Sequence, residues 1–240
     1  MTAAATIGAT RTLFLQLDAP FAAFRWLQAG VYRGTFPVMP PSAAWGFALN
    51  LAGIETRGSL EEVVTPIRSD APHLDVAVGV VHPGQRSTLY QQLHGYPVGN
   101  SGKELQARAR GQKYWIVPVR RELLVGLRCV IGVRGTAAIV DRIPQGLTGA
   151  LAHERYGLPF AGDNQFLFDR IDVIDGDANA RWFVPLGPGE TPQESTRLTT
   201  RIDRASSSRT QAPLFAPTPT VCPCPSEAWI DVGPGAPSQP

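Results

Sequence analysis

Long apolar runs are missing from this 240-residue chain. No stretch approaches the roughly 18 residues that a membrane-spanning helix needs. Near the start, the run Leu13–Leu17 is too short for the core of a signal peptide. Cysteine is scarce as well, with three in all. Cys222 and Cys224 form a close pair, which makes no disulfide framework and supplies too few thiolates for a closed zinc site. The expectation is a soluble, cytoplasmic protein with no membrane contact and no cofactor. Charged residues are 18% of the chain against 43% hydrophobic, which excludes a disordered polyelectrolyte and allows a sizeable core.

Enzyme signatures are also lacking. Gly99-Asn100-Ser101-Gly102-Lys103 resembles the end of a phosphate-binding loop, but Pro97 replaces the earlier glycine and Glu104 the magnesium-binding hydroxyl. A hairpin tip is the simpler reading. His153-Glu154 starts a zincin-like pattern that Gly157 ends, because a second histidine is needed there. Gly187-Pro188-Gly189 reads as a turn, and no Gly-x-Ser-x-Gly elbow is present. The four histidines, His73, His82, His94 and His153, are scattered.

What the chain does have is an uneven charge distribution. Between Pro83 and Arg134 nine basic residues face only Glu104 and Glu122, a net of +7, while the remainder carries −5. Such a segment on a mildly acidic body points to a polyanion. Twenty of the 22 cations are arginine, which suits bidentate phosphate contact and stacking on bases, although a GC-rich genome gives the same bias. Tyr90, Tyr96, Tyr114 and Trp115 are interleaved with these charges.

Period-two alternation predicts half-buried strands around Leu13, Leu15 and Leu17, around Leu74, Val76, Val78 and Val80, and from Val125 to Val133. A fourth strand is expected over Phe166–Ile174, with a possible bulge at its Phe-rich start. Pro40-Pro41-Ser42 predicts a helix capped at Ser42, buried on several sides and stopped by Gly53. Pro144 opens a second expected helix, through Leu147, Leu151 and Tyr156 to Gly157. The order strand, helix, strand, strand, helix, strand predicts an α+β, ferredoxin-like (RNA-recognition-type) domain over residues 1–204. Both helices would then cover one face of the sheet and leave the other free to bind. Residues 83–118 form an insertion read as a basic thumb hairpin. From 205 to 240, eight prolines and a serine run predict an extended tail, with Phe215, Trp229 and Ile230 as possible anchors.

Two blocks carry a family resemblance. Leu13-Phe14-Leu15-Gln16-Leu17-Asp18-Ala19-Pro20-Phe21-Ala22-Ala23-Phe24-Arg25 is similar to the opening of CRISPR-associated protein family five. The likeness continues through Thr35-Phe36-Pro37, Pro40-Pro41-Ser42-Ala43-Ala44-Trp45-Gly46 and Asn50-Leu51-Ala52-Gly53. Tyr156-Gly157-Leu158-Pro159-Phe160-Ala161-Gly162, with Asp163-Asn164-Gln165-Phe166, resembles the family's glycine-containing turn into its last core strand. The basic insertion falls where the family carries its thumb. The resemblance implies a RAMP-type Cascade subunit that caps the crRNA 5′ handle. Its neighbours would be a family-seven backbone subunit and a family-eight large subunit, with target DNA met through the complex.

The expected RNA-binding residues are Arg86, Tyr96, Lys103, Arg108, Arg110, Lys113, Tyr114 and Arg120 of the basic segment, and Arg25 and Trp26 after the first strand. The resemblance adds Ser42, Trp45 and Gly46, because it brings RNA near the start of the first helix. Gly46 costs a helix about 1 kcal/mol relative to alanine, so either RNA backbone or tight packing should use the missing side chain. The reading is a non-catalytic guide-RNA-binding subunit. Two alternatives are a metal-independent endoribonuclease of the same fold using His94 or Tyr114, and an interaction protein whose basic hairpin binds an acidic partner.

Overall fold

The computed structural model describes residues 9–26, 32–59, 65–97, 114–153, 155, 157–204 and 206–234, leaving aside the side chains of 93–97, 114–117 and 207. The chain runs through β1 (Thr10–Ala22), β2 (Tyr32–Arg33), α1 (Pro41–Leu51), β3 (Leu74–His82), β4 (Gln85–Pro97) and β5 (Tyr114–Thr136). It continues through α2 (Ala137–Val140), α3 (Arg142–Thr148), β6 (Arg170–Ile174), β7 (Asn179–Pro185) and β8 (Thr196–Arg197). The last strands are β9 (Leu214–Pro217), β10 (Cys222–Pro223) and β11 (Ile230–Val232). This is an α+β chain dominated by one large sheet with few helices. No helix among the described residues is long and apolar enough to cross a membrane.

The sheet order is β6-β1-β5-β3-β7-β9-β8, and each of these neighbours pairs antiparallel. Alternation sets the faces. Leu15, Leu17, Val76, Val78, Leu127, Cys129, Ile131 and Val133 form one core with Trp45, Phe47, Leu49 and Leu51 of α1. Nine of the eleven α1 residues are buried, which explains why its apolar residues encircle the helix.

Both helices differ in detail from the sequence expectation. Ser42 does not cap α1: Pro40, in extended conformation, is the cap residue, and no side chain caps the end. Pro41 at the first helical position has no N–H to satisfy, so the turn forms without a hydroxyl. Gly53 ends the helix with φ +67°, as the sequence indicated. The second helix is shorter than expected, because Gly149 at φ +75° terminates α3 well before Tyr156. Gly146 crosses α1 so closely that a Cβ there would overlap the Leu51 carbonyl.

The fourth strand is also shorter, since Phe166 and Leu167 belong to a turn. The Phe166 N–H donates to Asp163 O at 2.9 Å, and Leu167 bridges Phe160. Gly162, at φ +81°, lies so near the Ala23 carbonyl that a Cβ would collide with it.

The second face of the sheet is covered, contrary to the expectation of an open one. Phe14, Ala77 and Val130 pack against Ala178, Ala180, Trp182 and Ala228 there. The Phe14 ring lies 5.8 Å from Trp182 and 5.8 Å from Trp229. Arg134 stacks its guanidinium 4.0 Å over Trp229. The described residues of 206–234 form short strands and two helical turns, bound to the body. β9 pairs with β7, β10 with β7, and β11 with β3, while Phe215 is fully buried.

β3, β4 and β5 together make one long ladder. Both β3 and β4 run antiparallel to β5, so β4 prolongs β3 past Pro83-Gly84. Gly84 and Gly126 both adopt φ +69° at this junction, where β4 takes over from β3 along β5. The described part of the expected hairpin insertion, 83–97 and 114–118, is thus a continuation of the central strands.

Candidate nucleic-acid interface

At the hairpin root, β5 places successive side chains on opposite faces. Arg121 points to one face, where it is 8% exposed and ion-paired with Asp163. Its Nη1 donates to Gln91 Oε1 at 3.3 Å, Gln91 Nε2 donates to Gln165 Oε1 at 3.0 Å, and its guanidinium lies 5.3 Å over Phe166. The turn at 160–167 is thereby fastened to the hairpin.

Glu122 points the other way. It accepts from the Thr35 N–H at 2.9 Å, from Arg86 Nη1 at 2.9 Å and from the Tyr32 hydroxyl at 3.3 Å. These bonds tie segment 32–35 to the same strand. The Thr35 hydroxyl in turn accepts the Phe24 N–H at 2.8 Å, and Thr35 bridges Arg25. Arg25, Arg86 and Arg120 are therefore gathered at one place. Trp26 is beside them, 41% exposed and 6.0 Å from Phe36.

Register brings Arg120 into a row that the sequence did not disclose. Tyr90 of β4 faces Arg120, and Arg120 faces Tyr32 of the two-residue strand β2. Tyr90 is 79% exposed and Tyr32 41%. Among the described residues Arg120 has no ion-pair partner, whereas Arg86 and Arg121 are paired with Glu122 and Asp163. Arg33 Nε is enclosed without an acceptor.

Other expected residues lie elsewhere. Ser42 and Trp45 are buried, which removes both from the surface offered to RNA. The Ser42 N–H donates to Thr199 O at 3.0 Å, and the Trp45 indole donates to Pro72 O at 2.9 Å from within the core. A Cβ on Gly46 would find nothing within 4 Å, so packing among the described residues does not require that glycine. Lys103, Arg108, Arg110 and Lys113 fall outside the described residues, as do the side chains of His94, Tyr96 and Tyr114. The backbones of Tyr96 and Tyr114 are in the ladder, opposite Trp115 and Pro97.

The sequence does not single out Tyr32, Glu122 or Asp163 as interface residues. Tyr32-Arg33 is too short to show a period, and Glu122 reads as an exception inside a basic run rather than as a three-way acceptor.

Away from this root, a cavity of about 440 Å³ opens where α3 gives way to 149–158, with His153 and Arg155 on its wall. Among the described residues no group of three or more His, Cys, Asp or Glu could hold a metal. Burial pushes the Cys129 thiol up to about 12, and burial also pushes Cys224 to about 12, so both stay protonated at neutral pH.

Comparison with known proteins gives this arrangement its class. The family model described as "CRISPR-associated protein (Cas_Cas5)" matches residues 12–150, more than half of the chain, and the protein belongs to that family. Among solved structures, the chain resembles one titled "CRISPR RNA-guided surveillance complex", with a TM-score of 0.60 and 18% identity over 94% of this chain and 95% of that one. A second, titled "Crystal structure of Cas protein", has a TM-score of 0.49 and 12% identity over 89% and 95%. No curated protein matches the sequence.

Proposed function

We propose that this protein is the guide-RNA-binding subunit of a type I, Cascade-type CRISPR interference complex, and that it holds the crRNA 5′ handle without cutting it. The observation that carries this reading is the long hairpin, in which β4 and the first half of β5 extend central sheet strands through the segment of net charge +7. A strand-built arm rooted in the core can hold arginines and aromatics at fixed spacing against an RNA backbone. Family membership supports the reading, as does likeness to a chain of an RNA-guided surveillance complex.

The body is ferredoxin-like in this proposal. Counting only β1, β3, β5 and β6, the sheet reads fourth, first, third, second, all antiparallel, which is the order of a split βαβ pair. Neighbours in the assembly are a family-seven backbone subunit and a family-eight large subunit, and target DNA is met through the complex.

The test is repeat RNA incubated with the purified protein in the presence of a chelator, across a salt series. Intact, bound RNA is expected. The log–log salt slope should be roughly −3 to −4 if about five cations meet phosphates. A flat salt response or absence of binding would overturn the RNA assignment. Site-specific cleavage that disappears in His94→Ala or Tyr114→Phe would overturn the non-catalytic one.

A further inference from the structure

We infer that Tyr90, Arg120 and Tyr32 form a stacking platform for consecutive unpaired bases of RNA on the open face of the hairpin root. This rests on the guide-RNA reading above and gives that surface a specific chemistry. Residues directly opposite in a ladder share a face, so the pairings Tyr90–Arg120 and Arg120–Tyr32 set three side chains in a row across β4, β5 and β2. The bond from the Tyr32 hydroxyl to Glu122, two residues beyond Arg120, fixes Tyr32 to the same side.

Neighbouring strands lie about 4.8 Å apart, so the two tyrosines stand roughly 10 Å apart with a guanidinium between them. Sheets that recognise RNA present aromatics from their strands to unpaired bases, each ring accepting one base, while cations meet the phosphates; here β5 supplies the cation between the two rings.

The platform is one-sided. The opposite face of the same strands is occupied by the turn at 160–167 through Arg121, Gln91 and Gln165. A tyrosine 79% exposed contributes little to folding by burial, and its ring is accessible to a partner. Charge selects the occupant. Glu122 is engaged on this face by Arg86, Thr35 and Tyr32, and Arg120 has no ion-pair partner among the described residues, so its guanidinium can meet a phosphate. An acidic protein could answer the charge but not the paired flat rings, and duplex RNA keeps its base faces stacked away from them.

The experiment uses the full chain, a labelled mixed-sequence single-stranded RNA, and a counterpart with consecutive abasic nucleotides. Tyr90→Ala should weaken binding of the first probe about tenfold and leave binding of the abasic probe near the parent value. Tyr32→Phe, which keeps the ring, should retain binding, while Arg120→Gln should lower the salt slope by about 0.7. Circular dichroism and thermal melting would check that each variant folds like the parent. If the parent binds RNA and Tyr90→Ala binds both probes as the parent does, the platform is overturned and the RNA reading stands. Equal losses on both probes would also overturn it, because the ring would then act through the backbone. A parent that binds neither probe would overturn the RNA reading itself.

Discussion

The two halves of the long β3–β4/β5 ladder share a strand and a hydrogen-bonding pattern, yet they differ in almost everything else. In the inner half, Val76, Val78, Cys129, Ile131 and Val133 are covered by α1 on one face, while Ala77 and Val130 lie under Trp182 and Trp229 on the other. In the outer half, Leu123 and Leu124 are still buried beside the end of β1, but further out Tyr90 and Arg120 are exposed, and polar contacts tie the strands to the turn at 160–167 and the segment at 32–35. A strand therefore has no character of its own. What covers it decides whether its side chains hold the fold together or remain available to a ligand.

The contrast is broken most severely from the inner side. Trp182 is fully buried, with its indole donating to Cys222 O at 2.9 Å. Trp182→Ala should cost about 3–5 kcal/mol through lost burial and the cavity left behind, read by denaturant titration. A loss under about 1 kcal/mol would mean that the C-terminal strands only rest on the sheet.

At the junction, Asp163→Ala leaves the Arg121 guanidinium enclosed without its carboxylate. About 2–3 kcal/mol should be lost, less than for a fully buried pair because Asp163 keeps partial access to water. The double variant Arg121→Met with Asp163→Leu should recover most of that loss. If the double variant is as unstable as the single one, the pair is needed for its hydrogen bonds to neighbours rather than for charge compensation.

Gly46→Ala sharpens the question of what lies outside the chain. A Cβ there has open space, so the helix should gain up to about 1 kcal/mol. Thermal melting reads the gain, and RNA titration of the same variant asks whether a ligand approaches that point of α1.

The smallest effect is expected in the outer half. Arg120→Gln should shift stability by less than about 0.5 kcal/mol, since it breaks no ion pair among the described residues. A larger shift in denaturant midpoint would place Arg120 in the structural half of the ladder.

Titration tests the inner half. Cys129 is held protonated up to about 12 by burial, above its ordinary value near 9. Above pH 9 an unfolded chain loses that proton while the folded chain keeps it. Stability should therefore fall as pH rises from about 9 toward 12, and thiol reagents at neutral pH should reach Cys129 only on unfolding. Labelling of Cys129 in the native protein would show that the inner half opens.

Local order fixed a good deal of this in advance. Alternation at Leu15 and Leu17, at Val76 and Val78, and from Leu127 to Val133 assigns each residue to a face by geometry alone, because successive strand side chains point opposite ways. Glycines at 53 and 162 mark places where the chain must turn through a left-handed conformation or pass close to other backbone. The segregation of positive charge between Pro83 and Arg134 is likewise a property of the sequence itself. Tertiary structure decided which faces were covered. Ser42 and Trp45 look like contact residues in isolation, yet Trp45 packs in the core with its indole bonded to Pro72, and Ser42 is buried where its N–H meets Thr199. The second sheet face looked open until Trp182 of β7 and Ala228 and Trp229 of the proline-rich C-terminal segment packed onto it, since proline limits what a segment can donate but not where it docks. Tyr32 and Arg120 are 88 residues apart, and no local period can relate them. Only ladder register, set when distant strands pair, puts them side by side.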